Sequence, residues 1–263
     1  MRVLLPPSES KRPGGGSVAF SPETLAHPEL GAARAAVIDA LVALSADAAA
    51  AAQALKLGPS LRGEIDRNRQ LRSSGTLPAL DRYTGVLYDA IDAGSLDAQA
   101  RAWLGERLLI QSAVFGLIGA LDEIPAYRLS ASSRLPGLTA PNGRAVSLKA
   151  HWKAAHAALD APGLSASGPV LDLRSKDYVA LHPGTLGDEA AFLNVVGRDA
   201  DGVLRPLNHF NKAGKGRLVR ELALDRPELS SLTDFLGWAE ARGHGVAHTE
   251  AGIDIEISAD PLG

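Results

Sequence analysis

The sequence predicts a mixed α/β fold, a single domain over residues 1–263 with a mixed central sheet flanked by helices. Three observations predict it. Short apolar runs suited to buried strands alternate with longer stretches of helical periodicity. The 263 residues are enough for one large core, and no Ser/Pro/Gly-rich or charged linker divides them. A composition of 46% hydrophobic and 22% charged residues belongs to a globular chain rather than a disordered or fibrous one.

In chain order, Arg2–Leu5 reads as a buried strand running into a polar, glycine-rich loop from Ser8 to Ser17. Pro28–Leu55 carries Val37, Leu41 and Leu44 at helical spacing, and Pro59–Leu71 follows a Gly-Pro break as a more polar helix. Tyr83–Ile91 and Asp97–Glu106 read as helices leading to a strand at Leu108–Ile110. Phe115–Leu121 sets two glycines around an apolar pair, as a tight turn or hairpin does. One functional version of that pattern is a helix-hairpin-helix offering backbone N–H groups to DNA phosphates. The second half reads as helix (His151–Leu159), strand (Pro169–Leu173), strand (Ala191–Gly197) and two helices (Lys212–Leu224, Glu228–Arg242). A hairpin of Gly245–Glu250 with Ile253–Ser258 closes the chain, its isoleucines alternating with polar residues.

Composition narrows the chemistry. With no cysteine, disulfides, thiolate nucleophiles and Cys-ligated metal centres are excluded. The apolar stretch from Ala32 to Leu55 is broken by Arg34, Asp39, Ser45, Asp47 and Gln53, so no membrane span is expected, and the location expected is cytoplasmic. A net charge of −3 gives no global basic field, so any anion site must be local. Only seven of the 27 basic residues are lysines, at positions 11, 56, 149, 153, 176, 212 and 215. In so Arg-biased a chain, a retained lysine marks a position suited to a compact ammonium, or simply a solvated face. No histidine pair has a convincing metal spacing, and no cofactor is expected.

Three segments place cations where anions bind. Ser8-Glu9-Ser10-Lys11 follows a strand and opens a glycine-rich loop, although its spacing is not that of a P-loop. Ser175-Lys176-Asp177-Tyr178 lies just past a strand, the usual place for functional groups in α/β sheets, and fits either a tuned acid–base set or a surface ion pair. Asn211–Arg217 brings Lys212, Lys215 and Arg217 to the expected start of a helix, where the dipole favours a bound anion.

Together these blocks resemble the YaaA family of peroxide stress proteins along nearly the whole chain. The resemblance is carried by Leu4–Lys11, Tyr83–Val86, Phe115-Gly116 with Leu121-Asp122, Pro125–Leu129, Trp152, Leu173–Tyr178 and Lys212–Arg217. It implies a mixed α/β fold with a positively charged cleft, a helix-hairpin-helix-like element, and double-stranded DNA binding linked to protection from peroxide. Carried over by position, the cleft residues are Lys11, Arg128, Lys176, Lys212 and Lys215, with Ser8, Glu9, Ser175 and Tyr178 as polar neighbours; Arg217 joins them as a phosphate contact. The chain departs from the family run Lys-Lys-Ala-Arg-Gly at Asn211–Gly216, and has Gly119-Ala120 where relatives have Arg-Pro.

Two functions remain open on the sequence. Duplex DNA would be gripped through Lys11, Arg128, Lys176, Lys212, Lys215 and Arg217, with steep salt dependence. Alternatively the cleft is an enzyme site for a nucleotide, nucleoside or other phosphorylated small molecule, in which Ser8, Glu9, Lys11, Ser175, Lys176, Asp177 and Tyr178 hold the substrate and move protons. Shape discriminates them: an open basic trough suits a duplex, and a pocket holding both signs of charge suits chemistry.

Overall fold

The computed structural model describes residues 1–17, 20–157, 159, 168–183, 187, 189–198, 204–205, 208–250 and 252–257. Strand β1 (Arg2–Leu5) is followed by helices α1 (Gly31–Ala46), α2 (Ala48–Ala54) and α3 (Gly63–Arg69). Next come β2 (Leu77–Pro78), α4 (Ala79–Arg82), α5 (Val86–Ile91), α6 (Ala98–Arg107), β3 (Leu108–Ser112), β4 (Gly116–Gly119) and β5 (Glu123–Ile124). The second half holds α7 (Leu148–His156), β6 (Val170–Asp172), α8 (Lys176–Val179), β7 (Ala190–Arg198), β8 (Leu204–Arg205), α9 (Asn208–Asp225), α10 (Leu232–Ala241), β9 (Gly245–Thr249) and β10 (Gly252–Glu256).

The main sheet runs β4-β3-β1-β6-β7-β10-β9, with β8 paired to the end of β7. Its five middle strands are parallel, and the two outermost pair antiparallel to their neighbours. The expected mixed sheet is therefore present. β3 is buried at all five positions, as a strand covered on both faces must be.

Local chemistry sets several boundaries differently from the periodicity. The helix expected over Pro28–Leu55 begins as a 3-10 turn at Pro28–Leu30 and divides at Asp47, whose carboxylate accepts from the Ala49 and Ala50 N–H groups and caps α2. Ser231 and Asp234 form a reciprocal capping box at α10, which starts four residues later than expected. Among the described residues no helix is long and apolar enough to cross a membrane.

Two expectations are overturned. Phe115–Leu121 is not the tight turn but supplies the second strand of a hairpin: Gly116–Gly119 is fully buried and pairs antiparallel with β3, and the reversal lies before it, where Ser112 Oγ accepts from the Val114 and Phe115 N–H groups. Gly116 has φ +67°, and a Cβ there would lie 2.6 Å from the Trp152 ring, so this glycine serves a close packing contact. A buried strand offers nothing to a DNA phosphate, and the helix-hairpin-helix reading of this segment fails. Likewise Lys212–Arg217 does not sit at a helix start, because α9 begins at Asn208 and runs through it. Gly214 and Gly216 mimic a loop in sequence. In the fold they bring α9 against Val195 of β7 and against the Leu87 carbonyl and Ala90 of α5.

Candidate functional site

Numbered by appearance, the five parallel strands stand in the order 2-1-3-4-5: β3, β1, β6, β7, β10. The chain leaves β1 toward one edge and returns through β6 on the other side. Connections diverge at such a reversal, and the crevice beyond the strand carboxyl ends is where open α/β sheets bind ligands. Here that position falls between residues 6–11, after β1, and 173–178, after β6. Both were picked out by sequence.

At the β1 end, the loop is pinned to the segment before α5. Lys11 forms an antiparallel bridge with Tyr83, the Arg12 N–H donates to the Arg82 carbonyl at 2.8 Å, and the Thr84 N–H donates to the Ser10 carbonyl at 3.1 Å. Farther along, buried Arg82 donates to the carbonyls of Gly14 and Gly75, and a Cβ on Gly15 would strike the Gly75 backbone at 2.5 Å. The glycines thus permit two backbones to meet.

Lys11 itself is only 8% exposed. Its ammonium donates to the Ser8 carbonyl at 2.9 Å and lies 3.9 Å from the Tyr127 ring centre and 5.4 Å from that of Tyr83. Burial, with the Arg128 charge in support, lowers its pKa from 10.5 to about 7, against the opposing pull of Glu9. Arg128 is ion-paired to the exposed Glu9 carboxylate, and both backbone groups of Arg128 are held by the side-chain amide of buried Asn68, at 2.8 and 2.9 Å.

Around Lys11 gather all four tyrosines of the chain. The Tyr83 and Tyr127 hydroxyls are 2.8 Å apart, Ser112 Oγ from the end of β3 is 2.9 Å from Tyr127, and Tyr88 packs on Tyr83 while donating to the Pro6 carbonyl. Tyr178 lies within electrostatic reach of Tyr127 and Glu9. Burial pushes all four phenols above their ordinary pKa, so they are hydrogen-bonding neutral groups here.

At the β6 end, Arg174 clamps Asp172 bidentately at 2.9 and 2.7 Å, both residues being buried. Lys215 reaches from α9 to the Leu173 carbonyl at 2.7 Å; burial lowers its pKa to about 8, opposed by the Asp172 charge. Behind them His156 and His182 stack at 4.4 Å, and burial lowers their pKa values to about 4 and about 3.

The short helix α8 sends its residues different ways. Lys176 and Val179 face a cavity of about 700 Å³, Asp177 lines a separate one of about 640 Å³ with the 131–149 segment, and Tyr178 joins the tyrosine cluster. The larger cavity has a topological origin. β7 pairs with β6 only through Phe192, then continues along β10, so its next residues overhang the point where β6 stops. Phe192, Asn194 and Val196 line it with Asp254 of β10, and Asn194 Nδ2 donates to Asp254 at 3.0 Å.

Of the residues nominated from sequence, Lys11, Glu9, Arg128 and Tyr178 stand together, with Ser8 supplying a carbonyl to Lys11. Ser175 is exposed at the start of α8, and Lys176 and Asp177 are exposed in separate cavities. Lys215 is buried at the β6 end, whereas Lys212 and Arg217 are exposed on α9. Sequence reasoning missed Tyr83, Tyr127, Ser112, Asp172, Arg174, Asn194 and Asp254. The rarity of tyrosine, four residues in 263, was one signal, and the place of Tyr83, Tyr127 and Arg174 inside blocks shared with the family was another.

The fold is that of a mixed α/β protein with a buried lysine–tyrosine cluster at its strand-order reversal. The sequence profile of the family described as peroxide stress protein YaaA matches residues 1–243. A UPF0246 protein of Streptomyces coelicolor is 42% identical over 225 residues, covering 84% of this chain and 82% of the relative. One from Corynebacterium glutamicum is 40% identical over 245 residues, covering 92% and 93%, and one from Corynebacterium efficiens 38% over 256, covering 95% and 96%. The chain belongs to the YaaA peroxide stress protein family.

Proposed function

We propose that this protein binds a nucleotide-like, phosphate-bearing small molecule in the crevice between the ends of β1 and β6, and that Lys11 carries a proton in the chemistry done on it. The observation that supports this best is Lys11 itself, a buried amine near neutrality held against an aromatic face at the strand-order reversal. An amine poised near pH 7 both gives and takes protons under physiological conditions. A cytoplasmic location and a role in peroxide stress belong to the same proposal, the second supported by family membership.

Both signs of charge are close-set, as a catalytic pocket requires and a duplex groove does not: Glu9 beside Arg128, and Asp172 beside Arg174 and Lys215. The test is thermal-shift screening of wild type and Lys11→Met against nucleotides, nucleosides and sugar phosphates. The expected result is stabilisation of wild type by phosphate-bearing compounds, and a flat response across the panel defeats the proposal.

Duplex DNA is the second reading, favoured by the exposure of Lys176, Lys212 and Arg217. It requires affinity that falls steeply between about 50 and 200 mM salt. Affinity insensitive to salt, or none at micromolar protein, removes it.

A further inference from the structure

The cavity beyond the end of β6 has a division of labour that the anion reading alone does not explain. One side is apolar, formed by Phe192 and Val196 of β7 and Val179 of α8. Lys176 stands at the β6 side. Asp254 stands on β10, two strands away, which is about 10 Å across at the usual strand spacing. A nucleoside monophosphate carries its phosphate and its base edge at opposite ends, as two groups on separate elements require.

Asn194 and Asp254 are register partners on neighbouring parallel strands, and the Asn194 amide donates to one carboxylate oxygen at 3.0 Å. This bond fixes the carboxylate's orientation, and its second oxygen has no protein partner among the described residues. Asp172, the other carboxylate lining the cavity, has both oxygens taken by Arg174. Of the two carboxylates lining the cavity, Asp254 is therefore the one with an oxygen left for a ligand. An aimed carboxylate recognises adjacent N–H donors, since each such hydrogen bond is charge-assisted. The heterocycle presenting that pattern is guanine, through its ring N1–H and exocyclic amine.

Resting on the nucleotide reading above, we propose that this cavity selects a guanine-type base, with Phe192 and Val196 against the ring, Asp254 oriented by Asn194 reading its donor edge, and Lys176 meeting the phosphate. Asp254 is a specificity residue and takes no part in bond making.

The test is calorimetric titration of the full chain with GMP, IMP, AMP and ribose 5-phosphate. GMP should bind about tenfold more tightly than IMP, which lacks the exocyclic amine and so one charge-assisted hydrogen bond, and more tightly still than AMP, which lacks both donors and turns an N1 acceptor to the carboxylate. Asp254→Asn should bring GMP down to the level of IMP while leaving ribose 5-phosphate affinity unchanged, and Lys176→Met should weaken all four without altering their order. Equal binding of GMP, IMP and AMP by wild type overturns the selection, as does a GMP preference that survives in Asp254→Asn. If ribose 5-phosphate binds and the bases add nothing, the inference fails while the proposed function stands; if none of the four binds, both fail. The wild-type series decides the matter even if a variant does not fold.

Discussion

The Lys11 ammonium lies 3.9 Å from the centre of the Tyr127 ring, so beyond the Ser8 carbonyl it donates to, the face of a neutral phenol supports its charge inside the fold. A ring quadrupole contributes about 0.5–2 kcal/mol to such a cation. That is less than the cost of burying it, and the amine accordingly titrates near neutrality.

This sets a pH dependence. The folded pKa is about 7 and the ordinary value 10.5, so between those limits the unfolded chain holds a proton that the folded chain does not. Stability from this group rises with pH across that window, and the full penalty applies below about pH 7. Lys11→Met is expected to be the more stable protein at pH 6, by on the order of 2–4 kcal/mol, with the advantage shrinking toward pH 10. Urea unfolding of both proteins at pH 6, 8 and 10 reads this directly; a gap that does not change with pH contradicts it.

The stacked His156–His182 pair acts on the acid side. Both folded pKa values lie below the ordinary 6.5, at about 4 and about 3. As pH falls below 6.5 the unfolded imidazoles charge first and stability declines, by at most about 1.4 kcal/mol per pH unit for each ring. His182→Gln should show a shallower decline than wild type in thermal midpoints recorded from pH 7 to 4.5. Parallel curves would mean that the pair is not the sensor.

Two helical glycines should respond in opposite directions. A Cβ at Gly216 would meet the Leu87 carbonyl oxygen at 2.2 Å, whereas nothing lies within 4 Å of one at Gly237 in α10. Gly216→Ala should destabilise by about 1–3 kcal/mol despite alanine's better helix propensity, and Gly237→Ala should stabilise by up to about 1 kcal/mol. Denaturation midpoints of the two variants check the contrast.

Arg174→Met strands Asp172 in the interior and should cost about 3–5 kcal/mol, much of it recovered in Asp172→Leu/Arg174→Met. If the double variant is no better than the single one, the pair's role extends beyond mutual neutralisation, and Lys215 is the next group to examine.

Much of this architecture was legible because burial leaves long apolar runs: β1, β3, β6, β7 and the closing hairpin fall where the sequence puts them. β4 was not, since Gly-Leu-Ile-Gly reads locally as a turn and becomes a strand only by pairing with β3 beneath Trp152. The start of α9 was hidden by glycines whose purpose is to let neighbouring elements approach. The crevice was legible in halves, because residues 8–11 and 175–178 each follow an apolar strand. Its tyrosine cluster was not, because Tyr83 and Tyr88 share one segment while Tyr127 and Tyr178 come from two others, and the three meet through long-range packing. Asn194 and Asp254 likewise become partners only through the register of β7 and β10.

The gathering of every phenol at one place gives the molecule a built-in optical label. Every tyrosine contribution to an ultraviolet difference spectrum comes from this cluster, while Trp103, Trp152 and Trp238 report from α6, α7 and α10. Occupancy can therefore be followed in the unmodified chain, with no dye or engineered chromophore.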